Sequence, residues 1–349
     1  MPVDTSRSAG KPHPPELVLL ANPRGWCAGV DRAVQMVDRE LDGPAPVVLR
    51  HAIVHNDAVV ARLAARGTQT VEDLDAVPTG ATMVISAHGA PPRVRLEAEA
   101  RGLTVVDATC PLVSKVHAEV RRFAAAGYTV LLIAHRGHVE ALGTLGQATG
   151  STVLVETVED VDTLEVTDPE KVAWVCQTTL SVTDAAQVGA AIRRRFPTAV
   201  EPRHDDICYA TTNRQDAVVA LAHRSDLVVV LGSGTSSNSV RLVERAREQG
   251  CRAELVDDRT GITDELLEGV RVLGLTSGAS APEELMTQTL DWLRTVRGAR
   301  VEEISVAVED IHFSVPPPRW RPDPRQPRAL TPKSMTVENQ PSPPAIVAR

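Results

Sequence analysis

The amino-acid sequence predicts an α/β protein whose parallel strands are gathered into separate small units. Three observations carry that prediction. Short apolar runs alternate with amphipathic helical patterns from Leu17 onward, and such alternation implies parallel sheets with right-handed crossovers. Only 3% of the chain is aromatic while 43% is apolar, so the interior is built from Val, Leu, Ile and Ala, which suits parallel strands covered by helices. About ten strands exceed the usual sheet, and three cysteine-bearing junctions, at Cys27, Cys110 and Cys208, divide the chain at roughly even intervals.

The run LVLL is the first strand, followed by a helix near Ala28 to Leu41. PVVLR precedes a helix near Asn56 to Arg66, and TMVIS one from Pro92 to Arg101. LTVVD, YTVLLIA, KVAWV, DLVVVL, AELV and VRVLGLT continue the alternation, which closes with a helix from Ala281 to Val296. Breaks near Cys110 and Asp205 give units at 16–110, 111–205 and 206–306, with the strand at 17–21 a candidate to join the third unit instead of the first. Residues 1–15 and 316–349, rich in Pro, Arg and Ser without periodicity, are expected to be disordered tails, because such composition buries too little apolar surface to offset ordering entropy.

A formal charge of -8 argues against nucleic acid as a partner. No run approaches the roughly 20 apolar residues that span a bilayer, and the first 15 residues lack the apolar core of a signal peptide. A cytoplasmic protein without a membrane partner is expected. Five cysteines in a long chain do not resemble a secreted disulfide framework, so they are thiols or metal ligands.

Ligands of open α/β sheets bind beyond the carboxyl ends of the strands, where this chain is unusually polar. The stretches GWCAGVD, DATCPLVSK and DDICYATTN place Cys27, Cys110 and Cys208 at loop-to-helix junctions, where a helix N-terminus favours a thiolate. Three such thiolates predict convergence on one metal centre with an unfilled position. Cys176, inside a Val/Trp strand, and Cys251, opening a strand, read as core thiols. Metal identity stays open, since there is neither a CxxC pair nor a ferredoxin-like CxxCxxC run.

Helix starts built from Ser, Thr, Asn and Gly offer N–H groups and hydroxyls to an anion. Ser236, Ser237, Asn238 and Ser280 are candidates for a phosphate or diphosphate. Any one such loop is equally what an N-cap looks like, but several in one chain favour an anionic ligand. His55, His88 and His138 lie at strand ends, and His138 with Glu140 pairs an imidazole and a carboxyl suited to proton transfer. Gln177, Thr178 and Thr179 could hold a proton relay or a substrate hydroxyl, or simply cap a strand; His135 is the weaker histidine. No Walker A sequence occurs, and GSGTSS lacks the third glycine of a dinucleotide fingerprint. The residues alone leave open a zinc-dependent hydrolase of a phosphorylated substrate and a non-catalytic anion-binding protein.

Taken together, CAGVDRAV, VHN, AHGAPP, DATCPLVSKVH, GHVE, QTTLSV, DDICYATTNRQ, SSNS and SGASAP, spread in this order from about Leu17 to Val306, resemble the LytB family of 4-hydroxy-3-methylbut-2-enyl diphosphate reductases. The resemblance implies three similar α/β units in a trefoil around one central [4Fe-4S] cluster per chain, held by Cys27, Cys110 and Cys208, with one iron lacking a protein ligand. It implies reductive dehydroxylation of an allylic diphosphate to isopentenyl and dimethylallyl diphosphate, the last step of the non-mevalonate pathway, with a separate ferredoxin or flavodoxin as electron donor. Carried over motif by motif, His55, His88, His138, Ser236, Ser237, Asn238 and Ser280 would bind diphosphate. Glu140 would deliver protons and Thr178 would orient the hydroxyl, with Gln177 and Thr179 behind them. Val139 departs from the proline common at its position, which would leave the Glu140 backbone looser, and the proline-rich tail lies outside the family core.

Overall fold

A computed structural model describes residues 15–202 and 205–320. The chain opens with β1 (Leu17–Asn22), α1 (Ala28–Glu40), β2 (Val47–Arg50), α2 (Asp57–Ala65), β3 (Gln69–Val71), β4 (Thr82–Ile85), α3 (Pro92–Ala100) and β5 (Thr104–Asp107). It continues through α4 (Pro111–Ala125), β6 (Thr129–Ile133), α5 (Val139–Leu145), β7 (Thr152–Val155), α6 (Val158–Thr163), β8 (Val172–Cys176) and α7 (Val182–Arg195). The last third comprises α8 (Tyr209–Ala222), β9 (Leu227–Leu231), α9 (Ser237–Glu248), β10 (Arg252–Val256), β11 (Val272–Ser277), α10 (Glu283–Thr295) and β12 (Arg300–Ser305).

These strands form three all-parallel sheets, of order β3-β2-β4-β5, β7-β6-β8 and β10-β9-β11-β1-β12. Three α/β units thus surround a common centre, the trefoil arrangement. The first strand lies in the third sheet, between β11 and β12. Central strands such as LVVVL of β9 are buried at every residue, as a strand covered on both faces must be.

The helices that follow the cysteine junctions do not cover the sheet they leave. After β1 of the third sheet, α1 packs Ala33, Val34 and Val37 against Val47, Leu49 and Val84 of the first. After β5 of the first sheet, α4 packs Val116, Val120 and Phe123 against Val130, Leu132 and Val175 of the second. Past the second sheet, α8 packs Val218 and Leu221 against Leu19, Val228 and Val230 of the third. Cys27, Cys110 and Cys208 are the N-cap residues of these three helices, so each thiol stands where one unit hands the chain to the next.

Three strands that the sequence reading did not name, β3, β7 and β12, all lie at sheet edges. β3 is three residues long and mostly exposed, and Glu302 and Glu303 break the apolar alternation of β12. Edge strands need no two-faced apolar cover. Beyond β12 the chain crosses to α1: Arg39 Nη1 donates to Val315 O (2.8 Å) and Pro316 O (3.0 Å), and Trp320 Nε1 donates to Arg39 O (3.0 Å). The first residues of the expected C-terminal tail, 316–320, are therefore held against the first unit; residues 321–349 and 1–14 of the two expected tails lie outside the described residues.

Candidate active site where the three units meet

Loops from all three units line one central cavity of about 90 Å³. The three N-cap thiols share it, and all five cysteines of the chain are free. The approach is close enough that a Cβ on Gly29 would lie 2.6 Å from Cys110 Sγ and 3.8 Å from Cys27 Sγ. Cys208 Sγ lies 3.1 Å from Thr211 Oγ1 and accepts from Thr211 N (3.4 Å). Cys176 and Cys251 are buried and do not line the cavity.

Helix starts were expected to favour the thiolates, but at Cys110 and Cys208 burial reverses this. Burial, followed by the charge of Cys27, pushes Cys110 up to about 12 and Cys208 up to about 11. Those two thiols become anionic only when a cationic centre compensates them. Among the described residues no three His, Cys, Asp or Glu side chains are grouped tightly enough to hold a single metal ion. The three thiols, each at the start of a helix in a different unit, face one pocket, and cysteines so presented fit a group of several atoms with thiophilic corners.

On another wall His55, His88 and His138 form a cluster, with ring centroids 4.1 Å apart for His55 and His88, 5.2 Å for His55 and His138, and 5.7 Å for His88 and His138. Burial first, then neighbouring imidazoles, holds His88 well below the ordinary range and brings His138 down to about 4; burial also lowers His55. Three neutral rings face the cavity. His138 Nδ1 accepts from Glu140 N (3.1 Å), which places its proton on Nε2. That bond also caps α5, so the helix start that carries Val139 instead of proline is fixed by its imidazole.

Glu140 is 2% exposed. Its Oε1 accepts from Thr178 N (2.7 Å) and its Oε2 lies 3.0 Å from Thr178 Oγ1. Burial pushes its carboxyl up to about 7, the charge of Asp206 adding to the shift and the Thr178 bonds opposing it. Gln177 does not reach the cavity. It accepts from His135 N (3.0 Å) and donates to Thr179 Oγ1 (2.9 Å), tying the His138 loop to the Thr178 loop. His135 itself pairs with Glu156 (3.1 Å) outside the cavity.

The third wall is hydroxylic. Ser236 caps α9 by accepting from Ser239 N (3.3 Å), Ser237 donates to Thr179 O (3.3 Å), and Ser280 donates to His55 O (2.8 Å). Asn238, only 4% exposed, has neither amide atom bonded, and His55 Nε2 is likewise buried without a partner. Buried polar atoms left unpaired cost about 1–3 kcal/mol each, so this wall is built for a polar ligand. All predicted site residues except Gln177 line the cavity.

Sequence reasoning missed four residues here. Gly29 and Thr211 touch the thiols, and Asp206 is a buried carboxyl accepting from Cys176 N (3.0 Å) that burial raises to about 6. Arg214 is a fully buried guanidinium on α8. Gly29, Thr211 and Asp206 neighbour predicted cysteines, a signal that was present; Arg214 carried none.

The family model for LytB protein matches residues 18–294. A 4-hydroxy-3-methylbut-2-enyl diphosphate reductase of Bordetella pertussis is 54% identical over 301 residues, covering 86% of this chain and 92% of that one. One from Acidothermus cellulolyticus is 51% identical, covering 88% and 91%. The solved structure of the E-1-hydroxy-2-methyl-but-2-enyl-4-diphosphate reductase from Plasmodium falciparum superposes with a TM-score of 0.81 at 37% identity, over 88% of this chain and 96% of that one. Another, titled as the terminal enzyme of the non-mevalonate pathway, gives 0.59 at 30% identity, covering 80% and 99%.

Proposed function

The chain belongs to the LytB family, and from that membership we propose that the central cavity reductively dehydroxylates (E)-4-hydroxy-3-methylbut-2-enyl diphosphate to isopentenyl and dimethylallyl diphosphate, the last step of non-mevalonate isoprenoid synthesis. The balance is two electrons and two protons in, one C–O bond broken, one C–H bond formed and water released. The observation that carries the reading is the meeting of three N-cap thiols with a buried, proton-holding Glu140 in one cavity.

Cys27, Cys110 and Cys208 would hold a [4Fe-4S] cluster. When bound, it supplies the electrons one at a time and Lewis acidity at an iron without a protein ligand. The protein's own residues do the rest. The His55, His88 and His138 rings, with Ser236, Ser237, Asn238 and Ser280, hold the diphosphate and thereby fix the reacting carbon. Those rings are neutral before binding; the arriving anion favours their protonation. Thr178 Oγ1, already on Glu140, orients the substrate hydroxyl, and Glu140, protonated near pH 7, gives up its proton as the hydroxyl leaves. Gln177 and Thr179 keep the two loops in register. Glu140 is 2% exposed, so its proton sits on the cavity wall beside the substrate site and not at the protein surface.

Among the described residues no helix is long and apolar enough to cross a membrane, and the five unpaired thiols belong in a reducing cytoplasm. Electrons come from a separate ferredoxin or flavodoxin. Anaerobic purification or reconstitution should give a brown protein that converts the hydroxylated diphosphate with a reduced donor. A protein that takes up zinc but no iron or acid-labile sulfide, and makes no dehydroxylated product, would sink the proposal.

A further inference from the structure

Arg214 stands one and a half turns into α8 and is 0% exposed. An unpaired guanidinium is not tolerated in such a place, so where its five N–H groups go is informative. Nε donates to Gly25 O (3.0 Å), and Nη2 to Gly25 O (2.7 Å), Arg24 O (3.4 Å) and Trp26 O (3.4 Å). Nη1 donates to Ala210 O (3.0 Å) and to Glu309 Oε1 (2.9 Å). The side chain thus grips three consecutive carbonyls that end immediately before Cys27, from a helix whose own N-cap is Cys208.

Glu309 lies beyond β12, in the segment that crosses from the third unit to the first, and Asn213 Nδ2 also donates to it (3.1 Å). A second tie runs the same way, Ala28 N donating to Tyr209 OH (3.4 Å). Without Arg214 the buried Gly25 carbonyl would lose both of its guanidinium donors. Gly25 has φ +64°, a conformation that favours glycine and that leaves its carbonyl turned to the guanidinium.

We propose that Arg214, with Glu309 as its counter-charge, is a positioning residue that fixes the Cys27 thiol relative to the Cys208 thiol. It acts through the backbone at 24–26 and touches no reacting atom. Lysine would keep the charge but is a point donor that cannot span three carbonyls. The inference rests on the reading of these cysteines as ligands, but its test does not need the metal.

The full-length protein without iron is treated with iodoacetamide, and the alkylation rates of Cys27 and Cys110 are read by mass spectrometry for wild type, Arg214→Lys, Arg214→Met and Glu309→Gln. The Cys27 to Cys110 rate ratio should rise at least tenfold in both Arg214 variants and threefold or more in Glu309→Gln, which keeps an acceptor and so tolerates the change if Arg214→Met does not fold. General loosening would accelerate both thiols together and leave the ratio unchanged. An unchanged ratio in folded Glu309→Gln and Arg214→Lys overturns the proposal. Iron and sulfide per chain after reconstitution should fall in the same order. If wild type takes up no iron, the cluster reading fails while the thiol ratios still decide the role of Arg214.

Discussion

Glu140 gives up hydration on every side and receives in return only the two Thr178 bonds, a balance that leaves its carboxyl protonated up to about pH 7. An acid whose folded pKa is raised binds more protons folded than unfolded, so its contribution is full below the unfolded pKa and is lost as pH rises toward 7. Glu140→Gln should therefore stabilise the protein relative to wild type at pH 8, by on the order of 2 kcal/mol, with the gain shrinking toward pH 5; paired thermal melts across that range check it, and a gain that grows on acidification would reject the assignment. The same variant should keep its iron yet lose activity by about 10²–10⁴-fold, and with it the fall in wild-type kcat/KM as pH rises through about 7. His55, His88 and His138, all lowered, give a second expectation. Binding of inorganic diphosphate at pH 7 should take up protons, measured by calorimetry in buffers of different ionisation enthalpy, because an anion raises what burial and mutual repulsion have lowered. Proton release would contradict the cluster's role as the anion site. These chemical residues were legible from sequence because each sits just past an apolar run. Arg214 was not, because a basic residue in TTNRQ reads as a solvated helix face until tertiary packing buries it.

At the scale of elements, the site is made from helix beginnings. Cys208 accepts from Thr211 N (3.4 Å) as the cap of α8, and serine caps at least as well. Cys208→Ser should thus keep the iron-free melting temperature within about 2 °C while losing bound iron, whereas Cys176→Ser retains iron because that thiol lies in β8 away from the cavity. Iron retained in Cys208→Ser would remove it from the ligand set. Gly29 on α1 tests the packing of two such starts: its added Cβ would meet Cys110 Sγ at 2.6 Å and Cys110 Cβ at 3.4 Å. Gly29→Ala should cut iron content at least tenfold with the secondary structure unchanged by circular dichroism, against the stabilisation a helical Gly→Ala change usually gives, about 1 kcal/mol. The alternation that predicts these helices says where they begin, but their partners had to come from packing: α1, α4 and α8 each leave one sheet and cover another. A periodic pattern specifies an apolar face and not which sheet receives it.

Across the whole molecule, closure depends on both ends of the described chain meeting in one sheet. β1 is paired on one side with β11 and on the other with β12, and the segment after β12 then fastens the third unit to α1 of the first through Arg32, Arg39 and Trp320. Among the described residues, its Glu309 is also the only carboxylate paired with the buried Arg214 guanidinium. A chain ending at Ser305 keeps all twelve described strands but loses this fastening and strands a buried charge. Breaking such a pair costs about 3–5 kcal/mol when fully buried, and Glu309 is partly solvated at 16% exposure, so about 2–4 kcal/mol is expected. For a chain of this size, that lowers the melting temperature by about 4–10 °C. Glu309→Gln alone should show a smaller drop than the truncated chain, since the Arg32, Arg39 and Trp320 contacts survive in it. Differential scanning calorimetry on the two iron-free proteins separates the terms. A truncated chain that melts with wild type would show that the three units hold their arrangement through the cavity-lining loops alone, whereas a drop confined to the truncated chain and absent in Glu309→Gln would assign the fastening to α1 and not to the ion pair.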